Sequence, residues 1–208
     1  MSSTVDALLP LSFLEAVRDI DAPDDDVDAE FVQELRNKRF GLSDTVFQQI
    51  RRYSDAVRRN QRTARDEAVA LARLIGRRPD AEAVFRVAGR FLAREAYDTI
   101  APLRRRMMLA FPAMLARPIA LRHARRIARR YFNGSLARSG AMLLLEVRES
   151  VTLGTTAGPR STGCAYYEAG LRELLRLLVN GGGAVEHERC MARGDELCAW
   201  RAEWRALR

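Results

Sequence analysis

The stretch 187–198, "HERCMARGDELC", constrains this chain more than any other. Three cysteines and two histidines occur in the whole sequence, and two of the first and one of the second fall inside these twelve residues. Gly194–Asp195 reads as a turn between two strands. With the turn centred there, Cys190 and Cys198 fall opposite one another or one place off, their Cβ atoms about 4.5–5.5 Å apart. Both sulfurs can then hold one metal. His187 stands three residues before Cys190, and a regular strand sends such positions to opposite faces, so a bulge or a strand end is required. Cys164 heads the preceding helix, where the helix dipole favours a thiolate. The glycine run 181–183 lets the chain return toward that end. The four side chains can converge as Cys3His, a closed tetrahedral zinc site. Two other readings stand beside it. The cysteines are inert small hydrophobes with His187 on the hairpin surface, or a cysteine is a nucleophile with a histidine base, for which no orienting third group is present.

A three-cysteine inventory argues against a disulfide framework. No apolar run approaches the roughly 20 residues that span a bilayer. The opening "MSSTVDALLPLSFLEAV" lacks a basic leader and carries Asp6 and Glu15, so a cytoplasmic protein is expected. The net charge is +8 and unevenly spread. Residues 1–30 hold nine acids against Arg18 alone, and residues 101–140 hold ten arginines and no acid. Opposite charge blocks in one chain commonly meet, and that reading is preferred to a nucleic-acid contact. The triple aspartate 24–26 lacks EF-hand spacing and suits a helix N-terminus.

Helical segments come first. "VDALLPLSFLEAVRDI" is amphipathic with an interruption expected at Pro10, and "DAPDDDVDAEFVQELRNKRFG" reads as an acidic loop, a helix and a stop at Gly41. Ser43 caps a helix with Val46, Ile50, Tyr53 and Val57 on one stripe. Two further helices split at 76–79. The basic stretch 102–133 should break at Pro112 and Pro118. Its last piece puts Leu121, Ala124, Ile127, Ala128 and Tyr131 on one face and arginines on the rest. After Gly134 the texture turns β-rich: a strand over about 141–153, the loop "TAGPRSTG", a helix from Cys164 with Leu171, Leu174, Leu175 and Leu178 inward, and a hairpin. In the second hairpin strand Cys198, Trp200, Ala202 and Trp204 alternate with Ala199, Arg201, Glu203 and Arg205. The expected class is α+β, an antiparallel sheet packed with helices and preceded by a helical N-terminal extension.

"GCAYYEAGLRELLRLL" followed by "VEHERCMARGDELCAW" resembles the C-terminal half of the 4-vinyl reductase domain, over about residues 130–204. That family shows a cysteine heading a helix with a "YxAGLLxxLL"-like core, then "C-x-A-x-GD-x-x-C-x-[FW]". Related domains sense aromatic effectors in bacterial transcription activators, and TRAPP vesicle-tethering subunits share the fold. The resemblance implies an antiparallel sheet with helices on one side and a buried apolar ligand cavity. It also implies a zinc held by Cys…[Glu/His]-x-x-Cys-x7-Cys, here Cys164, His187, Cys190 and Cys198. A fainter upstream similarity to bacteriochlorophyll-pathway members implies a bacterial protein of pigment metabolism. Residues 1–80 are then the helical extension, and 81–208 the ligand-binding domain with its zinc site.

A zinc-stabilised binder of a hydrophobic, aromatic or tetrapyrrole-like molecule, such as a chlorophyll precursor, is the preferred function. The expected carrier, accessory or sensor protein uses Met107, Met108, Phe111, Met114, Tyr166 and Tyr167 as an adaptable apolar lining, with Arg106 for a carboxylate. His123 is more ordinary as a surface or core histidine than as a pigment ligand. An enzyme such as a vinyl reductase is less favoured: a saturated zinc has no open position, and no nicotinamide fingerprint is present. A nucleic-acid regulator is less favoured still, because the arginine-rich helix lacks a helix-turn-helix partner. A homodimer is left open.

Overall fold

A computed structural model describes residues 3–22, 43–111, 113–152, 162–181 and 183–204, without the side chains of 109, 113 and 114. The acidic run 24–30, the helix expected before Gly41 and most of the 156–163 loop lie outside the described residues, as does the Met114 side chain. The architecture is α+β with antiparallel sheets.

Strand β1 (Thr4–Asp6) leads into helix α1 (Leu8–Asp21). Pro10 does not interrupt α1. It stands in the first turn, where a backbone N–H has no intrahelical partner to lose. Leu8, Leu9, Phe13, Leu14 and Val17 are all buried, so α1 is a core helix. Helix α2 (Asp44–Arg58) starts as expected, with Ser43 Oγ accepting from Val46 N at 3.4 Å. Strand β2 (Arg62–Ala64) pairs antiparallel with β1. Helices α3 (Arg65–Ile75) and α4 (Ala81–Asp98) follow, divided where the sequence divides them.

Helix α5 (Pro102–Ala110) precedes α6 (Ala113–Tyr131), which continues through Pro118. The cost is one hydrogen bond, to the carbonyl of Met114 at the start of a 19-residue helix. Ala124, Ile127, Ala128 and Tyr131 face the core, while Arg122, Arg125, Arg126 and Arg129 are exposed. Among the described residues the two charge blocks meet directly at one point, where Arg130 Nε donates to Asp6 Oδ2 at 2.8 Å.

The main sheet runs β3 (Ser135–Ser139), β4 (Met142–Val147), β6 (Cys198–Glu203), β5 (Val185–Arg189), every pair antiparallel. The strand expected over 141–153 is present as β4 alone, ending at Val147, and it pairs with an unexpected strand before it, β3, of whose residues only Leu136 is buried. Helix α7 (Cys164–Val179) ends at Asn180, which takes the left-handed conformation (φ 51°) ahead of the glycine run. It lies beside α4, held by two glycines. A Cβ on Gly89 would stand 2.1 Å from Tyr166 O, and one on Gly170 would meet the Phe132 ring at 2.7 Å.

Candidate metal centre

Three pieces of chain converge at one end of the β5–β6 hairpin. The first is the start of α7. Gly163 precedes Cys164 and presses so close to Thr152 that a Cβ would sit 2.3 Å from its carbonyl oxygen. Thr152 Oγ1 donates to Gly163 O at 2.8 Å, and the Tyr167 hydroxyl accepts from Val151 N at 3.3 Å. The start of α7 is thereby tied to the segment that leaves β4.

The second piece is β5. His187 stands opposite Trp200 and Arg189 opposite Ala199, so Glu188 is an extra residue and the register shifts there. This is the irregularity that placing His187 and Cys190 on one site demands. The third piece is the β5–β6 connection. The expected tight turn at Gly194–Asp195 is a longer loop, with a 3-10 turn (Met191–Arg193) and Gly194 at φ 94°. Asp195 closes it: Cys190 N donates to Asp195 Oδ2 at 2.6 Å, and Asp195 N donates to Cys190 O at 3.3 Å. Met191 N donates to Cys198 Sγ at 3.4 Å.

The donor atoms of Cys164, His187, Cys190 and Cys198 all lie within 4.8 Å of one another, and the group could hold a metal ion. Cys164 Sγ and Cys190 Sγ are 3.7 Å apart. A disulfide requires about 2.05 Å. Two thiolates on one tetrahedral zinc, each at about 2.3 Å, stand about 3.8 Å apart. The separation matches shared coordination, and all three cysteines are buried and form no disulfide. His187 Nε2 is buried without a hydrogen-bond partner, a costly state for an imidazole nitrogen unless it binds something. Its ring is stacked on Trp200, centroids 4.8 Å apart and planes 6° from parallel. The Cys198 thiol is held well below its ordinary pKa, first by the hydrogen bond from Cys164, then by His187 and the Met191 N–H, against the opposing effect of burial. The donor set fits a tetrahedral thiolate-binding ion such as zinc.

Asp195, Gly163 and Trp200 complete the site, and the sequence pattern does not mark them as its members. The Gly-Asp pair signals a turn, and so announces Asp195. Trp200 is legible only as a core residue of its strand.

The residues expected to line an apolar cavity are dispersed. Tyr166 and Tyr167 are fully enclosed in the first turn of α7, among Phe13, Phe132 and Trp200. Met108 is buried, Met107 half-buried, and Arg106 and Phe111 are exposed on and just after α5. No described helix is long and apolar enough to cross a membrane. No protein family, curated protein or solved structure matches the chain.

Proposed function

We propose that this chain is a zinc-stabilised small-molecule-binding protein, its metal centre formed by Cys164, His187, Cys190 and Cys198. The convergence of those four donors, three of them buried thiols, is the observation that carries the reading. Four protein donors fill a tetrahedral shell, so the ion supplies cohesion to the α7–hairpin junction. The cargo is a hydrophobic, aromatic or tetrapyrrole-like molecule. Two things support it: the resemblance of residues 130–204 to the 4-vinyl reductase domain, and the apolar surface around α5. Leu103 is 71% exposed, Phe111 42% and Leu115 61%, with Arg106 and Met107 between them in sequence. Apolar side chains exposed to this extent mark a contact surface where they adjoin.

Elemental analysis of the purified full chain should find one zinc per molecule, and its absence would remove the metal half of the reading. Titration with chlorophyllide, followed by absorbance, should give saturable binding, weakened by Phe111→Ser. Incubation of that complex with NADPH should yield no reduced pigment; a reduced product would replace binding with catalysis.

A further inference from the structure

A cleft of about 460 Å³ opens where the start of α1, the end of α2, the α4–α5 turn and one side of α6 come together. None of its lining residues belongs to the metal centre or to the 107–115 stretch. Its floor is apolar, with Leu8, Ile100 and Ile127 buried beneath it. Its walls are charged, and the charges do not cancel. Asp6 and Arg130 pair at 2.8 Å, and Arg130 also donates to Asn60, so those groups satisfy one another. Arg104 and Arg126 line the same space, and among the described residues neither side chain has an ion pair or a hydrogen bond. His123 lines it too; burial first, then Arg104, Arg126 and Arg122, hold its pKa below the ordinary value. The remaining acid is Glu95, whose pKa is pushed up by burial and by Asp98.

Two unpaired guanidiniums around a neutral imidazole repel one another and lack an acceptor, over an apolar floor. A carboxylate or phosphate oxygen supplies what both lack, because the planar guanidinium fork matches those groups in two-point geometry. The volume falls within the roughly 300–1,000 Å³ of small-molecule sites. We propose that this cleft binds a small organic oxyanion, its carboxylate or phosphate-ester head on Arg104 and Arg126 and its aromatic or branched apolar body over Leu8, Ile100 and Ile127. The neutral His123 ring adds one N–H donor to the head. The proposal goes beyond the metal-stabilised reading and shares no residue with its centre.

The test is calorimetric titration of the zinc-loaded full chain at low salt with 1-naphthoate, 1-naphthyl phosphate, 1-naphthalenemethanol and inorganic phosphate. One of the two naphthyl anions should bind one-to-one with a Kd below about 1 mM, at least about tenfold tighter than the alcohol or inorganic phosphate. Which of the two binds tighter identifies the head group. Arg104→Gln and Arg126→Gln should each weaken that binding about tenfold. Arg122→Gln, exposed on the same helix and outside the cleft, should leave it within about twofold. The proposal is overturned if neither naphthyl anion saturates, if the alcohol or inorganic phosphate binds as tightly, or if both cleft substitutions leave the affinity unchanged. An equal loss on Arg122→Gln would also overturn it, since that marks diffuse charge attraction. Zinc content and thermal melts of every variant check folding independently, so failure of the cleft leaves the metal centre standing.

Discussion

Cys190→Ser removes the sulfur 3.7 Å from Cys164 Sγ and breaks the four-donor set. A buried structural zinc contributes on the order of 10 kcal/mol to folding, more than most domains have to spare. The variant should retain little zinc and go into the insoluble fraction, as should Cys198→Ser. His187→Ala should be milder, because its ring is only half-buried and water can reach the vacated position. Zinc content per soluble molecule across the three variants checks the order. A second residue-scale prediction concerns Glu173, buried on α7 and bonded to Arg94 at 2.7 Å and Arg176 at 2.8 Å. Those partners, Arg176 first, hold its carboxyl at about 2. A carboxyl with a depressed folded pKa stabilises fully above its ordinary value of 4.5, and that stabilisation fades as pH falls toward about 2. With both arginines more than half exposed, it is on the order of 1 kcal/mol. Denaturant midpoints of wild type and Glu173→Gln should therefore differ at pH 6 and draw together as pH falls below 4.5, converging only below about 2. At this scale the sequence is most readable: the convergence of Cys164, His187, Cys190 and Cys198 and the need for a bulge before Cys190 both follow from spacing. The Trp200 stack on His187 does not, because cross-strand pairing depends on a register that the bulge itself resets.

The elements most firmly joined are α4 and α7, and the reason is two missing side chains. Alanine at position 89 gains about 1 kcal/mol of helix propensity. Its methyl would stand 2.1 Å from the Tyr166 carbonyl oxygen, however, and a backbone atom cannot swing aside. The helices must part, and overpacking of that kind costs about 1–3 kcal/mol or more. Gly89→Ala should therefore lower Tm by several degrees, at about 2–4 °C per kcal/mol for a chain of this size. At Gly170 the nearest atoms belong to the edge of the Phe132 ring at 2.7 Å, with Gly89 O farther off at 3.2 Å, so a side chain rather than a backbone atom must give most of the room. Gly170→Ala should cost less, and thermal melts of the two variants would show the reverse order if backbone contact were not the deciding term. Periodicity announces the leucine face of α7, yet it says nothing about how near two backbones come. The same limit hid β3, since "SLARS" carries one inward residue and no alternation to read. Pro118 misled in the opposite sense: one lost hydrogen bond did not outweigh the apolar face that continues to Tyr131.

Across the whole molecule a line of rings joins the N-terminal helix to the metal centre. Phe13 on α1 meets Tyr166 edge-on at 5.4 Å, and Tyr166 meets Tyr167 at 5.1 Å. Tyr167 lies on Trp200 at 4.9 Å, and Trp200 stacks on the His187 imidazole. Phe13 also packs against Phe85 at 5.8 Å, and all these rings but the imidazole belong to one continuous core cluster. Pairs of this geometry contribute about 0.5–1.5 kcal/mol each beyond the area they bury. Phe13→Ala should then cost about 3–5 kcal/mol, a loss felt at the far end of the line as well as in α1. Helix content by far-ultraviolet dichroism reports mainly the helices, while fluorescence of Trp200 and Trp204 reports the sheet. A chromogenic chelator reports release of the ion. In wild type the three signals should change together in one transition, and in Phe13→Ala they should still coincide at a lower temperature. An N-terminal extension over residues 1–80 that folds by itself predicts otherwise. Part of the helical signal would be lost early while tryptophan fluorescence and bound zinc persisted, and the substitution would leave the zinc-release temperature where it was.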